Sequence, residues 1–298
     1  MTPREALLLF LVAIGVIAML VAAYVFGGYG VPERKVTRLD GDPERGEYML
    51  RVAGCVACHT DAKAGGAFLA GGGPIKTPFG AFVAPNITPD PETGIGGWTA
   101  EQFATALTAG VAPDGSYYYP VFPYASYTRM RDQDVADLWA YLKTVPPVSN
   151  KTAGHDVAFP LGFRPLLAGW QTLFFDPEPF RPDPARSDAW NRGAYLVTGP
   201  THCGECHTPR NALGGPDRDR PLAGSTDGPG GEKVPGLTRD SKDFGTWSRG
   251  DLVFALRFGL MPDGDSFSGG MGEVVRDGTS NFTDADLHAI AEYLIPET

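Results

Sequence analysis

Two short stretches of this 298-residue chain carry residues spaced for one particular chemistry. They are Cys55-Val56-Ala57-Cys58-His59 and Cys203-Gly204-Glu205-Cys206-His207, and together they use all four cysteines. Two thiols separated by two residues can form thioether bonds to the two vinyl groups of one porphyrin. The histidine that follows is then held beneath the iron as its proximal ligand. A single Cys-x-x-Cys-His could instead be a zinc site or a thiol redox motif. Two copies that exhaust the cysteines would require two separate coincidences. The spacing therefore reads as covalent attachment of two haem c groups, one through Cys55, Cys58 and His59, the other through Cys203, Cys206 and His207. His59 and His207 are the expected iron ligands.

The elements that must position these motifs recur in the same order. Asp42-Pro43 reads as a helix start, with Asp as N-cap and Pro in the first turn. The helix carries Arg45-Gly46-Glu47-Tyr48-Met49-Leu50 and ends near Gly54, just before the first motif. Ser187 caps a matching helix with Arg192-Gly193-Ala194-Tyr195-Leu196 before the second. Further on, Pro85-Asn86-Ile87-Thr88 matches Pro235-Gly236-Leu237-Thr238, and Trp98-Thr99 matches Trp247-Ser248, with a hydroxyl residue at each helix start. Pro113-Asp114-Gly115 matches Pro262-Asp263-Gly264. Each half closes on an amphipathic helix with apolar residues at helical spacing: Val135, Leu138, Trp139 and Leu142, then Leu287, Ile290, Ala291 and Leu294. Thr283 with Asp286 resembles a capping box with Asp in place of Glu. Backbone carbonyls near Pro85 and Pro235 are expected to orient the two proximal histidines. The order is helix, haem motif, loop, middle helix, loop, closing helix, twice over. This resembles the class I cytochrome c fold, in which first and last helices cross beside the haem.

Each iron needs a distal ligand or is left open for chemistry. Met271, in Ser268-Gly269-Gly270-Met271-Gly272, precedes the second closing helix and is the expected ligand there. Met261 competes, but it lies in the repeated Pro-Asp-Gly segment, where the first half has Ala112. In the first half the position matching Met271 is Phe122, which cannot bind iron. Met130 is the only methionine between the first motif and its closing helix, and it is the expected ligand by elimination. It matches Phe282 in the repeat, which leaves open a core position instead. His155 is the remaining distal candidate. His202 and His288 read as residues without a ligand role.

Residues 6–26 carry no charge, and about 31 Å of helix at 1.5 Å per residue matches a hydrocarbon core of about 30 Å. A cleaved signal usually has an apolar region of only about 7–15 residues, so an uncleaved anchor is favoured. Tyr24 and Tyr29 would sit at the outer interface. The charge bias is uninformative, with Arg4 on one side and Arg34, Lys35 and Arg38 on the other. The haem chemistry then sets the orientation, with the N-terminus in the cytoplasm and the rest in the periplasm. The expected architecture is all-α: residues 1–30 a transmembrane anchor, 31–148 and 186–298 two tandem haem domains, and 149–185 a linker. Residues 31–42 within the first domain read as a tether. The linker holds a helical stripe of Phe163, Leu166, Leu167, Trp170, Leu173 and Phe174, read as packing the two domains together. A net charge of −10 argues against a nucleic-acid partner.

Several segments resemble the dihaem cytochrome c proteins of proteobacteria. They are residues 192–196, residues 202–211 around the second motif, Asn86-Ile87-Thr88-Pro89-Asp90, Thr93-Gly94-Ile95-Gly96-Gly97-Trp98 and Tyr119-Pro120-Val121-Phe122-Pro123-Tyr124. They resemble the cytochrome subunits that accompany membrane-associated periplasmic dehydrogenases, both quinoprotein alcohol dehydrogenases and molybdenum hydroxylases. The resemblance implies a relay in the bacterial inner membrane. Electrons would pass from a periplasmic or membrane dehydrogenase through two haems to a soluble cytochrome, quinone or terminal oxidase. Alcohol dehydrogenase cytochrome subunits carry three haem motifs, and this chain has two. Several relatives have methionine in place of Phe122 and lack one at Met130, an exchange that supports Met130 as the substitute ligand. A second class stays open: a dihaem enzyme, peroxidase-like or thiosulfate dehydrogenase-like, with an open first iron. The lack of a spare cysteine weighs against the thiosulfate version.

Overall fold

The computed structural model describes residues 2–26, 36, 39–228 and 231–296. Most of the expected tether, the side chain of Tyr24 and all of Tyr29 lie outside the described residues. Helix α1 (Pro3–Phe26) is long and apolar enough to cross a membrane. Its side chains face outward, as at Phe10 and Met19.

Helix α2 (Pro43–Val52) starts where Asp42 accepts from the Glu44 and Arg45 amides at 2.8 and 3.3 Å. It leads through Gly54 into α3 (Cys55–His59), the first haem motif. Helix α4 (Ala100–Ala109) opens on a Thr99–Gln102 capping box. A short α5 (Tyr124–Tyr127) precedes the closing helix α6 (Asp132–Leu142). The second half repeats the order. Helix α8 (Asp188–Thr198) starts where Ser187 accepts from the Trp190 amide at 2.9 Å. Then come α9 (Gly204–His207), α10 (Arg249–Phe258) with a Ser248–Asp251 capping box, α11 (Gly269–Asp277) and the closing α12 (Asp284–Leu294). At Thr283 only the forward half of the expected box is made: its hydroxyl accepts from the Asp286 amide at 3.2 Å, while the Asp286 carboxylate turns to Arg192 and Tyr48.

Expecting helices alone missed one element. Strands β1 (Pro74–Thr77) and β2 (Gly80–Val83) form an antiparallel hairpin with Ile75 opposite Phe82. Each strand is four residues long, too short for alternation to stand out from the surrounding loop.

The first and last helices of each half cross closely, α2 on α6 and α8 on α12. Glycine makes the approach possible. A Cβ on Gly46 would lie 2.0 Å from the Asp137 carbonyl oxygen, and one on Gly193 would lie 1.9 Å from that of Ala289. Every apolar residue expected on the closing helices is buried. Burying side chains such as Leu50, Leu138 and Leu287 stabilises the fold by roughly 1.5–3 kcal/mol each.

The two halves are tied by a reciprocal exchange. The Tyr48 hydroxyl donates to Asp286 at 2.6 Å and accepts from the Thr283 amide at 3.2 Å. In the mirror contact, the Tyr195 hydroxyl donates to Asp134 and accepts from the Arg131 amide. Burial works to raise the pKa of Asp286, but hydrogen bonds from Arg192 and Tyr48 outweigh it, and the carboxyl is held below its usual range. Helix α7 (Leu166–Phe174), in the segment between the halves, touches both. Gln171 donates to the Ala109 carbonyl at 3.0 Å, and Trp170 donates to that of Leu213 at 3.0 Å.

Gly46→Ala and Gly193→Ala are expected to destabilise the fold by roughly 1–3 kcal/mol each, because no side chain can give way to a carbonyl on the facing helix. Gly154, which has open space around it, is the control. Thermal unfolding should show lower midpoints for the first two variants and an unchanged one for Gly154→Ala.

Candidate functional site

Each haem motif forms a single helical turn, so its two cysteines, three residues apart, share one face. The chain enters each turn through a left-handed residue. Gly54 has φ +66° before Cys55, and His202 has φ +42° before Cys203. In both halves the histidine at the far end meets a proline carbonyl. His59 Nδ1 lies 2.7 Å from the Pro85 oxygen, and His207 Nδ1 lies 2.7 Å from the Pro235 oxygen.

A carbonyl oxygen can only accept, so Nδ1 carries the hydrogen in each ring. Nε2 then keeps its lone pair. Burial lowers both histidine pKa values, although the carbonyl bonds work against it, and the rings stay neutral. A neutral imidazole, oriented through Nδ1–H with Nε2 free, is the form that binds iron.

Desolvation raises the pKa of all four thiols, Cys55 to about 12 and Cys206 to about 11. Reactive redox thiols have the opposite perturbation. Among the described residues no group of three or more His, Cys, Asp or Glu is placed to hold a metal ion. The residues fit haem c: two thiols on one helical face, followed by an imidazole in the binding tautomer.

Met271 is the third residue of α11, half-buried and packed against the main core. Two positions on, Glu273 reaches across to Lys63 beside the first motif at 2.9 Å. At 100° per residue the side chains of Met271 and Glu273 project to nearly opposite sides of α11. Met261 sits in the Pro-Asp-Gly turn, its amide bonded to the Asp265 carbonyl, and is not among the core residues. Met130 is fully buried in the core that also contains Val56. Its repeat-mate Phe282 is equally buried and packs edge-on against Tyr48 at 6.2 Å. Phe122 stands in an aromatic cluster with Tyr118, Tyr124 and Tyr127.

His155 is committed elsewhere. Its Nδ1 accepts from the Val83 amide at 3.2 Å, and its ring packs on Phe82 and Tyr119. It holds the linker to the hairpin. His288 is exposed on α12.

Repeat matching did not expose the contacts between the two sites. Ser126 on α5 donates to Glu205 of the second motif at 2.7 Å, and Glu205 is also paired with Arg210. The Tyr127 hydroxyl donates to the Ala53 carbonyl at 2.5 Å, at the entrance to the first motif. Helix α11 in turn packs on α3. Thus the element before each closing helix touches the other half's haem motif. The one available signal was His202 falling on the position of Gly54.

Residues 43–146 match the Cytochrome c family. The chain is 45% identical over 259 residues to a "Diheme cytochrome c-type" protein of Cereibacter sphaeroides, covering 86% of each. It is 42% identical to the cytochrome c subunit of a quinone-dependent alcohol dehydrogenase of Gluconacetobacter polyoxogenes, over 84% of this chain and 55% of that one. It is 40% identical to the cytochrome subunit of a fructose dehydrogenase of Gluconobacter japonicus, over 84% of this chain and 51% of that one. The chain thus spans most of the first relative but only about half the length of the two dehydrogenase subunits.

The His155 contact gives a pH dependence. Burial, followed by the nearby Arg164 charge, lowers its pKa. The folded state therefore binds fewer protons than the unfolded one. The contact is at full strength above the ordinary histidine value of about 6.5 and weakens as pH falls below it. Amide exchange at Val83, corrected for intrinsic rate, should accelerate as pH falls from about 7 to about 5. In His155→Phe that acceleration should be absent.

Proposed function

Because this chain belongs to the family of diheme c-type cytochromes, we propose that it relays electrons as a membrane-anchored dihaem protein of the bacterial periplasm. Each half, residues 31–148 and 186–298, is a class I cytochrome c domain. The first holds haem c through Cys55, Cys58 and His59, the second through Cys203, Cys206 and His207. Haem supplies one-electron chemistry; the protein supplies ligands, orientation and a dry surrounding. Pro85 and Pro235 fix the imidazoles. Met130 and Met271 would be the second protein ligands of the two irons, and a thioether ligand would raise their potentials and shut out small ligands. The observation that carries this reading is the pair of matched imidazole-to-carbonyl bonds at 2.7 Å, one beneath each Cys-x-x-Cys-His turn.

On this reading α1 stays in the inner membrane as a single pass and keeps the haem domains at the periplasmic surface. A dehydrogenase is the electron donor, in line with the names of two relatives. The acceptor is a soluble cytochrome, a quinone or a terminal oxidase. The protein carries electrons and turns over no substrate of its own.

One observation favours a second reading. Met130 shares its packing position with Phe282, which binds nothing, so the first iron could be open and react with a small oxidant.

Single variants separate the two. Met271→Ala should lower the potential of one haem by on the order of a tenth of a volt or more, within the roughly 0.8 V that axial ligands span. It should also open that iron to carbon monoxide. Met130→Ala should do the same to the other haem. A Met130→Ala protein with unchanged spectrum and potential, together with wild-type protein that binds carbon monoxide, would favour the open first iron.

A further inference from the structure

His202 holds no iron on the assignment above, yet it stands where the two haem-attachment segments meet. The backbone at this residue is left-handed, φ +42°, one position before Cys203. Residues with a Cβ are uncommon there, although His, Asn and Asp tolerate it best. The matching residue one position before Cys55 is Gly54, at φ +66°. A Cβ on Gly54 would lie 3.3 Å from His202 Nε2, so the glycine leaves room for the imidazole of the other half. Tyr127 closes the contact: its ring stands edge-on to His202 at 5.6 Å, and its hydroxyl reaches the Ala53 carbonyl. A single imidazole thus touches the entrance of the first haem turn while its own backbone forms the entrance of the second.

We propose that His202 is a positioning residue that locks the two attachment segments at one separation and keeps water out of the junction, so that both haem potentials depend on it. The proposal rests on the two-haem reading given above. The exchange it supports moves one electron from a ferrous to a ferric iron, with no bond made or broken and no proton transferred.

The test is a spectroelectrochemical titration of the full-length holoprotein in detergent, after its haem-to-protein ratio has been measured. His202→Gly accepts the left-handed backbone, removes the ring and admits water. Both components of the titration should move to lower potential, because solvent near a haem edge favours the ferric state. His202→Gln places an amide nitrogen near the position of Nε2 and should return both components toward their wild-type values. A His202→Gly titration in which only one component moves, or neither, overturns the proposal. So does a Gln variant that behaves like the Gly variant. A haem-to-protein ratio of one would instead remove the two-haem reading on which it rests.

Discussion

The structure depends on one contact made twice, a histidine Nδ1–H held by a proline carbonyl at 2.7 Å. It fixes the ring's orientation and its tautomer together, and so decides that Nε2 is the atom presented for ligation. For that bond to form, the haem turn and the proline loop must be held in register over 26 residues of chain in one half and 28 in the other. The crossing of first and last helices provides the frame. Gly46 and Gly193 let those helices approach to backbone contact, and the buried faces of α6 and α12 secure them. The side-chain caps of Asp42, Ser187, Thr99 and Ser248 fix where the framing helices begin.

The halves do not merely follow each other along the chain. Tyr48 bonds to Asp286 and Tyr195 to Asp134, in matching geometry, and the element before each closing helix leans on the opposite haem turn. Such an arrangement brings the two Cys-x-x-Cys-His turns to a common junction. A relay needs short separations and a rigid, dry path, and reciprocal contacts of this kind supply rigidity without any additional element. Helix α7 adds a brace on one side, with Gln171 on the first half and Trp170 on the second.

Much of this was legible in the sequence where the information is local. The Cys-x-x-Cys-His spacing is a covalent requirement, so it survives any context. The caps at Asp42, Ser187, Thr99 and Ser248 were readable because a capping side chain acts within three residues of itself. The carbonyls at Pro85 and Pro235 could be anticipated because the repeat places the same segment at a similar distance after each motif. The contacts between halves were not legible. Ser126 and Glu205 are 79 residues apart, Tyr48 and Asp286 are 238 apart, and neither pair leaves a local pattern. His155 read as a candidate ligand because its type is all that a sequence shows; the Val83 amide that occupies its Nδ1 belongs to a hairpin too short to announce itself.

An electron relay within this chain requires two porphyrins joined to one polypeptide. An intact mass spectrum of the chain purified under denaturing conditions tests this most directly, since thioether bonds survive unfolding. The expected mass is that of the polypeptide plus two haem groups. A chain carrying one haem or none would contradict it.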